Sequence, residues 1–389
     1  ECRGRQNTWG RRRPAPHSSL ALLQPGAGVD SAKESALSVQ PGVVAPEPPA
    51  ELLARARARR RQRLSKREYI DGLLAGKRTV LAQAITLIES SRPEDAELAQ
   101  DILEACLPHS GNSIRLGVTG VPGVGKSTVI ESLGVHLTRD LGCRVAVLAI
   151  DPSSQVSHGS ILGDKTRMEA LANDERAFIR PSPSGGSLGG VSRRTRETML
   201  LCEAAGYRNI IVETVGVGQS ETTVRSMVDF FLLLMLAGAG DELQGMKRGI
   251  MEMTDLIAIN KADGSNKRRA ESARQEYEGA LRLFPASETG WIPRVVTCSA
   301  LTRDGIAPLW DVVLEHDRHM KENGSFEKSR RSQVKSWMYE TIAYGLQESF
   351  RANAAVRRSL PDFERDVVEG RVSSFRAAQR LLDLYTESK

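Results

Sequence analysis

No two of the five cysteines form a C-x-x-C pair. Cys2, Cys106, Cys143, Cys202 and Cys298 are scattered and odd in number, which argues against a zinc site or a disulfide framework and for a reducing compartment. Long apolar runs are also missing. The longest, Phe230–Ala237, is far too short to cross a bilayer, and Leu20–Leu23 is too short for the apolar core of a signal peptide. No membrane role is expected. Histidines are few and dispersed (His17, His109, His136, His158, His316 and His319), with no tract or cluster for metal delivery; His316 and His319 are expected to face solvent. There is no internal repeat. Acids are absent from Arg55 to Arg67, where eight Lys/Arg fall together, and removing those eight charges from the net +6 leaves −2 for the rest. The basicity is one local run, read as a solvated helix face or tail, so a nucleic-acid partner is not expected.

The chain divides by composition. Residues 1–50 are rich in Pro, Ala, Ser, Gly and Arg, with five arginines and no acid from Cys2 to Val29. That suits a disordered extension or an organellar transit peptide, so the expected compartment is the cytoplasm, or the mitochondrial matrix if the segment targets. Residues 51–110 read as a helical region, with apolar residues at helical spacing from Tyr69 to Leu107 and a break at Arg92-Pro93. From 111 to 324 strands and helices alternate. The strands are expected at Ile114–Thr119, Arg144–Ile150, Ala177–Arg180, Asn209–Glu213, Phe230–Leu236, Leu256–Asn260 and Arg294–Thr297. This order predicts an α/β fold, a doubly wound and mostly parallel sheet with ligands at the carboxyl ends of its strands. Residues 325–389 read as a helical extension, with Trp337, Ile342, Leu346 and Phe350 as one apolar stripe and Phe375, Leu381, Leu382 and Tyr385 in a later one.

Gly120-Val121-Pro122-Gly123-Val124-Gly125-Lys126-Ser127 fits G-x-x-x-x-G-K-[ST], between an expected strand and an expected helix. Glycines permit the bends that turn successive N–H groups toward phosphate oxygens. Lys126 is expected on the β- and γ-phosphates, the Ser127 hydroxyl on Mg²⁺, and Thr128 in the first helical turn beside the anion. Strand Leu256–Asn260 runs into Asn260-Lys261-Ala262-Asp263. A carboxylate at Asp263 accepts both N1–H and the exocyclic amine of guanine, whereas adenine offers neither donor. Ser299-Ala300-Leu301, after the last strand, fits a loop supporting guanine O6. The nucleotide is therefore expected to be GTP or GDP rather than ATP. Three acids are delivered to the same rim: Asp151, Asp164 and Glu213, with Gly216 offering an N–H to the γ-phosphate. Asp151 and Asp164 each also sit just before a possible helix start, where N-capping is the lesser alternative.

These motifs, with Asp151-Pro152-Ser153-Ser154, Gly159–Met168, Arg180-Pro181-Ser182-Pro183, Gly189-Gly190-Val191, Glu213–Glu221 and Gly240–Gly249, closely resemble the methylmalonyl-CoA mutase-associated GTPases, the MeaB/ArgK group of P-loop proteins. The resemblance runs from about Leu73 to the C-terminus. It implies a G-protein chaperone that binds an adenosylcobalamin-dependent acyl-CoA mutase, gates cofactor loading from a cobalamin adenosyltransferase, and protects or reactivates the mutase through slow GTP hydrolysis. It implies a homodimer formed by helical extensions. Ser127, Asp151, Asp164 and Glu213 carry over to the Mg²⁺ shell or the attacking water, with Asp164 on a first switch, Gly216–Glu221 on a second and Asp241–Lys247 on a third. Leu236-Ala237-Gly238-Ala239 departs from the family, which usually has proline in that turn.

Two other readings compete. A nickel or cobalt metallochaperone GTPase needs a Cys/His delivery site, and a transport-associated ATPase or kinase needs an adenine site. The residues argue against both. A nucleotide-dependent binding partner, with hydrolysis only as a timer, fits the absence of a potent general base.

Overall fold

The computed structural model describes residues 63–90, 92–150, 168–181, 188–214, 220–238, 248–285 and 287–388, all within one unit, residues 63–389. Three helices come first: α1 (Lys66–Leu74), α2 (Arg78–Glu89) and α3 (Pro93–Cys106). Two of the starts, those of α1 and α3, have a local cause. Ser65 caps α1 in a reciprocal capping box with Glu68. Pro93 opens α3 in the first turn, where its missing N–H costs nothing, followed by Glu94 and Asp95 at the positive end. The break expected at Arg92-Pro93 separates α2 from α3.

Seven strands follow: β1 (Ile114–Gly120), β2 (Val145–Ile150), β3 (Ala177–Arg180), β4 (Asn209–Thr214), β5 (Phe230–Leu236), β6 (Leu256–Asn260) and β7 (Arg294–Thr297). All pairings are parallel, in the order β3-β2-β4-β1-β5-β6-β7. Four strands keep the expected bounds; β1 and β4 run one residue further and β2 begins one later. Between them lie α4 (Lys126–Val135), α5 (Glu169–Ala172), α6 (Leu188–Ala204), α7 (Ser220–Arg225), α8 (Arg248–Glu252) and α9 (Lys267–Leu281), and α10 (Ile306–Glu322) follows β7. β5 is apolar throughout and buried along nearly its whole length, as a parallel strand covered on both faces must be. One face packs on α2, α3 and α6 through Ile85, Ile102, Met199 and Phe231. The other packs on α4 and α10 through Val118, Leu133, Leu232 and Leu309.

α10 corrects one expectation. His316 does not face solvent: it is 3% exposed, edge-on to Phe230 and Trp291 at centroid distances of 4.9 and 4.8 Å. Aromatic neighbours on β5 and the β7 approach complete a box that sequence spacing does not reveal. His319 is half-buried rather than facing solvent, its ring tilted on Trp291 at 5.8 Å and its Nε2 2.9 Å from the Thr289 carbonyl.

The C-terminal region is helical as expected: α11 (Ser325–Ala352), α12 (Ala354–Val368) and α13 (Ser374–Glu387). Its apolar residues sort differently. At roughly 100° per residue, Trp337 lies on another face from Ile342 and Leu346. Trp337 packs on the body of the protein, while Val334, Met338, Ile342 and Leu346 form an exposed row at four-residue spacing. In α13, Leu381 and Tyr385 are buried, whereas Phe375 and Leu382 are exposed.

Candidate nucleotide site

β1 is central, and the chain leaves it at its carboxyl end into the loop 120–125. Gly125 precedes α4 with φ +95°, a region that favours glycine, and a Cβ there would lie 2.8 Å from the Asn260 amide nitrogen. Two requirements, conformation and space, converge on one residue. Lys126, the first residue of α4, is buried. Its ammonium donates to the carbonyls of Gly120 at 2.8 Å and Val121 at 3.3 Å. Burial pulls its pKa down, and the charges of Glu213 and Glu221 push it back up. Thr128 is exposed in the first turn of α4.

Ser127 donates to Glu213 Oε1 at 2.9 Å, joining the P-loop helix to the end of β4. Beside this contact, the buried Thr214 and Thr119 hydroxyls are bonded at 2.9 Å. The last β1–β4 backbone pair is Val118 with Glu213, so the threonines extend the ladder by one side-chain step to where both chains leave the sheet.

The second wall comes from β6 and β7. Asn260, 1% exposed, donates to the Val124 carbonyl at 2.8 Å and accepts from the Ala300 N–H at 3.2 Å. The Cys298 thiol, whose pKa burial pushes up to about 12, lies 3.8 Å from the same Asn260 oxygen. Lys261 sits at φ +60°, rare for a side chain with a Cβ, and reaches the Gly123 carbonyl at 3.0 Å. Ser299 donates to Asp263 Oδ2 at 2.5 Å and fixes the plane of that carboxylate. The structure thus brings Gly120, Gly123, Val124, Gly125, Lys126 and Ser127 together with Asn260, Lys261, Asp263, Ser299 and Ala300. Val121 joins through its carbonyl and Pro122 is exposed. Leu301 is the exception, its side chain 82% exposed. Asp151, Asp164, Gly216 and Asp241–Lys247 lie outside the described residues.

Several contributors escaped the sequence reading. Ser132 donates to the Ala300 carbonyl at 2.7 Å from inside α4; its signal was a small polar residue on a buried helix face. Glu221, buried and acting on Lys126, lay in a quoted motif without a role of its own. Thr119 and Thr214 had no signal, because threonine suits any strand.

Among the described residues no three His, Cys, Asp or Glu gather as a metal cage. A hydroxyl and a carboxylate in contact are instead the oxygen donors of a hard cation that shares its shell with phosphate and water. Ser127 and Glu213 fit Mg²⁺ on that chemistry.

The family described as "Methylmalonyl Co-A mutase-associated GTPase MeaB" matches residues 81–355. The chain is 53% identical over 271 residues to GTPase ArgK of Escherichia coli, covering 70% of this chain and 82% of that protein. It is 45% identical over 334 residues to the mitochondrial methylmalonic aciduria type A homolog of Mus musculus, covering 83% and 80%. A solved structure titled LAO/AO transport system kinase superposes with a TM-score of 0.67 at 40% identity, covering 84% of this chain and all of that one. The chain is a P-loop GTPase and belongs to the methylmalonyl-CoA mutase-associated MeaB family.

Proposed function

We propose that this GTPase serves an adenosylcobalamin-dependent acyl-CoA mutase, methylmalonyl-CoA mutase foremost, as a chaperone that gates cofactor loading and protects or reactivates the enzyme. The observation that carries this reading is the family match over residues 81–355. The name of the mouse relative, a methylmalonic aciduria type A homolog, supports the same client. A cobalamin adenosyltransferase would be the source of the gated cofactor.

The contacts among the described residues support a role for each. The N–H groups of 120–127 receive the phosphates, and Lys126 turns from the loop carbonyls to the β- and γ-phosphates. Asp263, held by Ser299, accepts the two guanine N–H groups, and the Ala300 N–H, bonded at a long 3.2 Å to Asn260, turns to O6. Ser127 and Glu213 hold Mg²⁺, which when bound neutralises developing phosphate charge. For Asp151 and Asp164 as acids and Gly216 as an N–H toward the γ-phosphate, the support is the family match alone. No strong base is required, because phosphoryl transfer depends on positioning and electrostatics; turnover alone is slow. The solved relative's title names a transport-system kinase, but Asp263 selects against the adenine such a kinase uses.

The exposed row Val334, Met338, Ile342 and Leu346 on α11 is the surface through which a homodimer forms. The compartment is the cytoplasm, or the mitochondrial matrix as in the mouse relative's name. No described helix is long and apolar enough to cross a membrane. Steady-state GTP turnover with and without purified methylmalonyl-CoA mutase tests the function. Stimulated turnover or altered nucleotide affinity is expected, and no effect of mutase on either counts against the chaperone.

A further inference from the structure

We infer that Gln333 and Trp337 of α11 are positioning residues for GTP hydrolysis, acting through the segment that leads from α7 into β5. This rests on the reading of 216–221 as a nucleotide-responsive switch. α7 begins inside that segment, at Ser220, and carries the chain out of it. Its turns continue past Arg225, since the Ser226 and Met227 amides donate to Thr222 and Val224 at 3.1 and 3.0 Å. α7 also leans on the strand that ends in the P-loop. A Cβ added at Gly117 of β1 would lie 2.9 Å from a Val224 methyl, so α7 cannot shift far without disturbing β1.

α11 grips the exit of α7 by three side chains on one face. Trp337 donates its indole N–H to the Ser226 carbonyl at 3.2 Å. Gln333 donates to the Val228 carbonyl at 2.8 Å in a buried contact. Arg330 holds both oxygens of Asp229 at 2.6 and 2.7 Å. The Trp337 ring also lies between the guanidinium groups of Arg115 and Arg196, at 5.5 and 5.3 Å, and Arg196 pairs with Glu340 one turn further on. A helix needed only for attachment could use Arg330 alone. Gln333 and Trp337 instead read backbone carbonyls, so they register where 226–228 lie rather than which residues lie there.

Two buried atoms at this junction have no hydrogen-bond partner among the described residues: Arg196 Nε, a donor on α6, and Gln333 Oε1, an acceptor on α11. Such atoms are rare and costly in a native interior. α6 and α11 pack on one another, so a shift of the junction that pairs these two atoms satisfies both. In the inferred mechanism a second seating gives these atoms partners, and the nucleotide biases the two seatings by moving α7.

The test uses the full chain. Amide hydrogen exchange is measured over 220–229 and 330–340 with GDP and with a non-hydrolysable GTP analogue. Gln333→Met and Trp337→Phe are then assayed for kcat, KM and GDP affinity beside their Tm. Exchange is expected to differ between nucleotides in both segments. kcat should fall about fivefold in Gln333→Met, within the range of ordinary site-to-site coupling, with KM and GDP affinity nearly unchanged. Trp337→Phe, which keeps one aromatic ring and loses the donor together with the second ring, should fall less. Exchange that differs at 220–229 but not at 330–340 overturns the inference and leaves the switch reading intact. Exchange that differs in neither segment overturns both. Folded variants with wild-type kcat also overturn it; if a variant fails to fold, the wild-type exchange still decides.

Discussion

The Ser127 hydroxyl and the Glu213 carboxylate meet at 2.9 Å although 86 residues separate them. The contact joins the first turn of α4 to the end of β4, and it sets what the site can hold. Glutamate rather than aspartate spans the distance, because one more methylene carries the carboxylate past the end of its strand. Glu213→Asp should therefore weaken the Mg²⁺ requirement's fit rather than abolish nucleotide binding. The Mg²⁺ concentration for half-maximal turnover is expected to rise by about 10-fold or more, the cost of disturbing a metal shell. Titrating turnover with Mg²⁺ for wild type and variant checks it; an unchanged midpoint removes Glu213 from the shell.

In the proposed function, base selection falls to Asp263. In Asp263→Asn the amide nitrogen replaces an acceptor with a donor and leaves the guanine amine unmatched. GTP affinity should fall by about 100-fold or more. The variant should gain affinity for xanthosine triphosphate, whose C2 oxygen accepts from the new amide. Competition binding with the two nucleotides is the measurement, and equal losses for both would mean a collapsed loop instead of a changed code.

Those two sites differ in how far they could be read from the sequence. Gly120–Ser127 and Asn260–Asp263 were legible because phosphate and guanine chemistry impose residue types at fixed spacing, and the strand before Asn260 is an uninterrupted apolar run. The Ser127–Glu213 distance, the Thr119–Thr214 pair and the Ser132 bond to Ala300 were not legible. They depend on sheet order, which places β4 beside β1, and local patterns do not encode which strands become neighbours. His316 failed for the same reason. Its burial comes from Phe230 and Trp291, elements distant in sequence, while its own helix offers a histidine among charges. Trp337 was grouped with Ile342 and Leu346 by apolarity, although five residues turn a helix well past the same face.

His316 gives a pH dependence with a definite sign. Burial, helped by the charges of Arg225 and His319, lowers its pKa from 6.5 to about 3; Asp255 Oδ1 is 3.9 Å away. A lowered pKa means the folded state resists the proton that the unfolded state accepts. The contribution of the neutral ring is complete above pH 6.5 and is lost as pH falls from there toward 3, by about 1.4 kcal/mol per pH unit. Denaturant unfolding of wild type and His316→Phe between pH 4 and 7 isolates it. The variant's stability should fall less steeply by one proton, and parallel curves would place the charge elsewhere.

Glu203 ties the carboxyl end of α6 to the amino end of β1. It accepts from Arg115 at 2.9 and 3.0 Å, from Ser113 at 2.5 Å and from the Gly111 N–H at 2.8 Å. Burial raises its pKa, but Arg115 and these donors outweigh that and hold it low. Glu203→Gln leaves Arg115 buried without its counter-charge, for a loss of about 3 kcal/mol. Urea unfolding measures it, and a loss below about 1 kcal/mol would class the pair with exposed bridges.

On α11, a charge placed in the exposed apolar row should cost assembly rather than folding. Ile342→Glu is expected to sediment as a monomer at concentrations where wild type is a dimer, with Tm little changed. A wild-type monomer would contradict the proposed interface.

The most direct test of the whole account is calorimetric titration of purified methylmalonyl-CoA mutase with this protein, loaded with GDP or with a non-hydrolysable GTP analogue, beside Asp263→Asn. Binding whose affinity changes with the nucleotide, and loses that dependence in Asp263→Asn, is the result predicted. Intact GTP affinity with no mutase binding in either state would contradict it, leaving a GTPase of this family without this client.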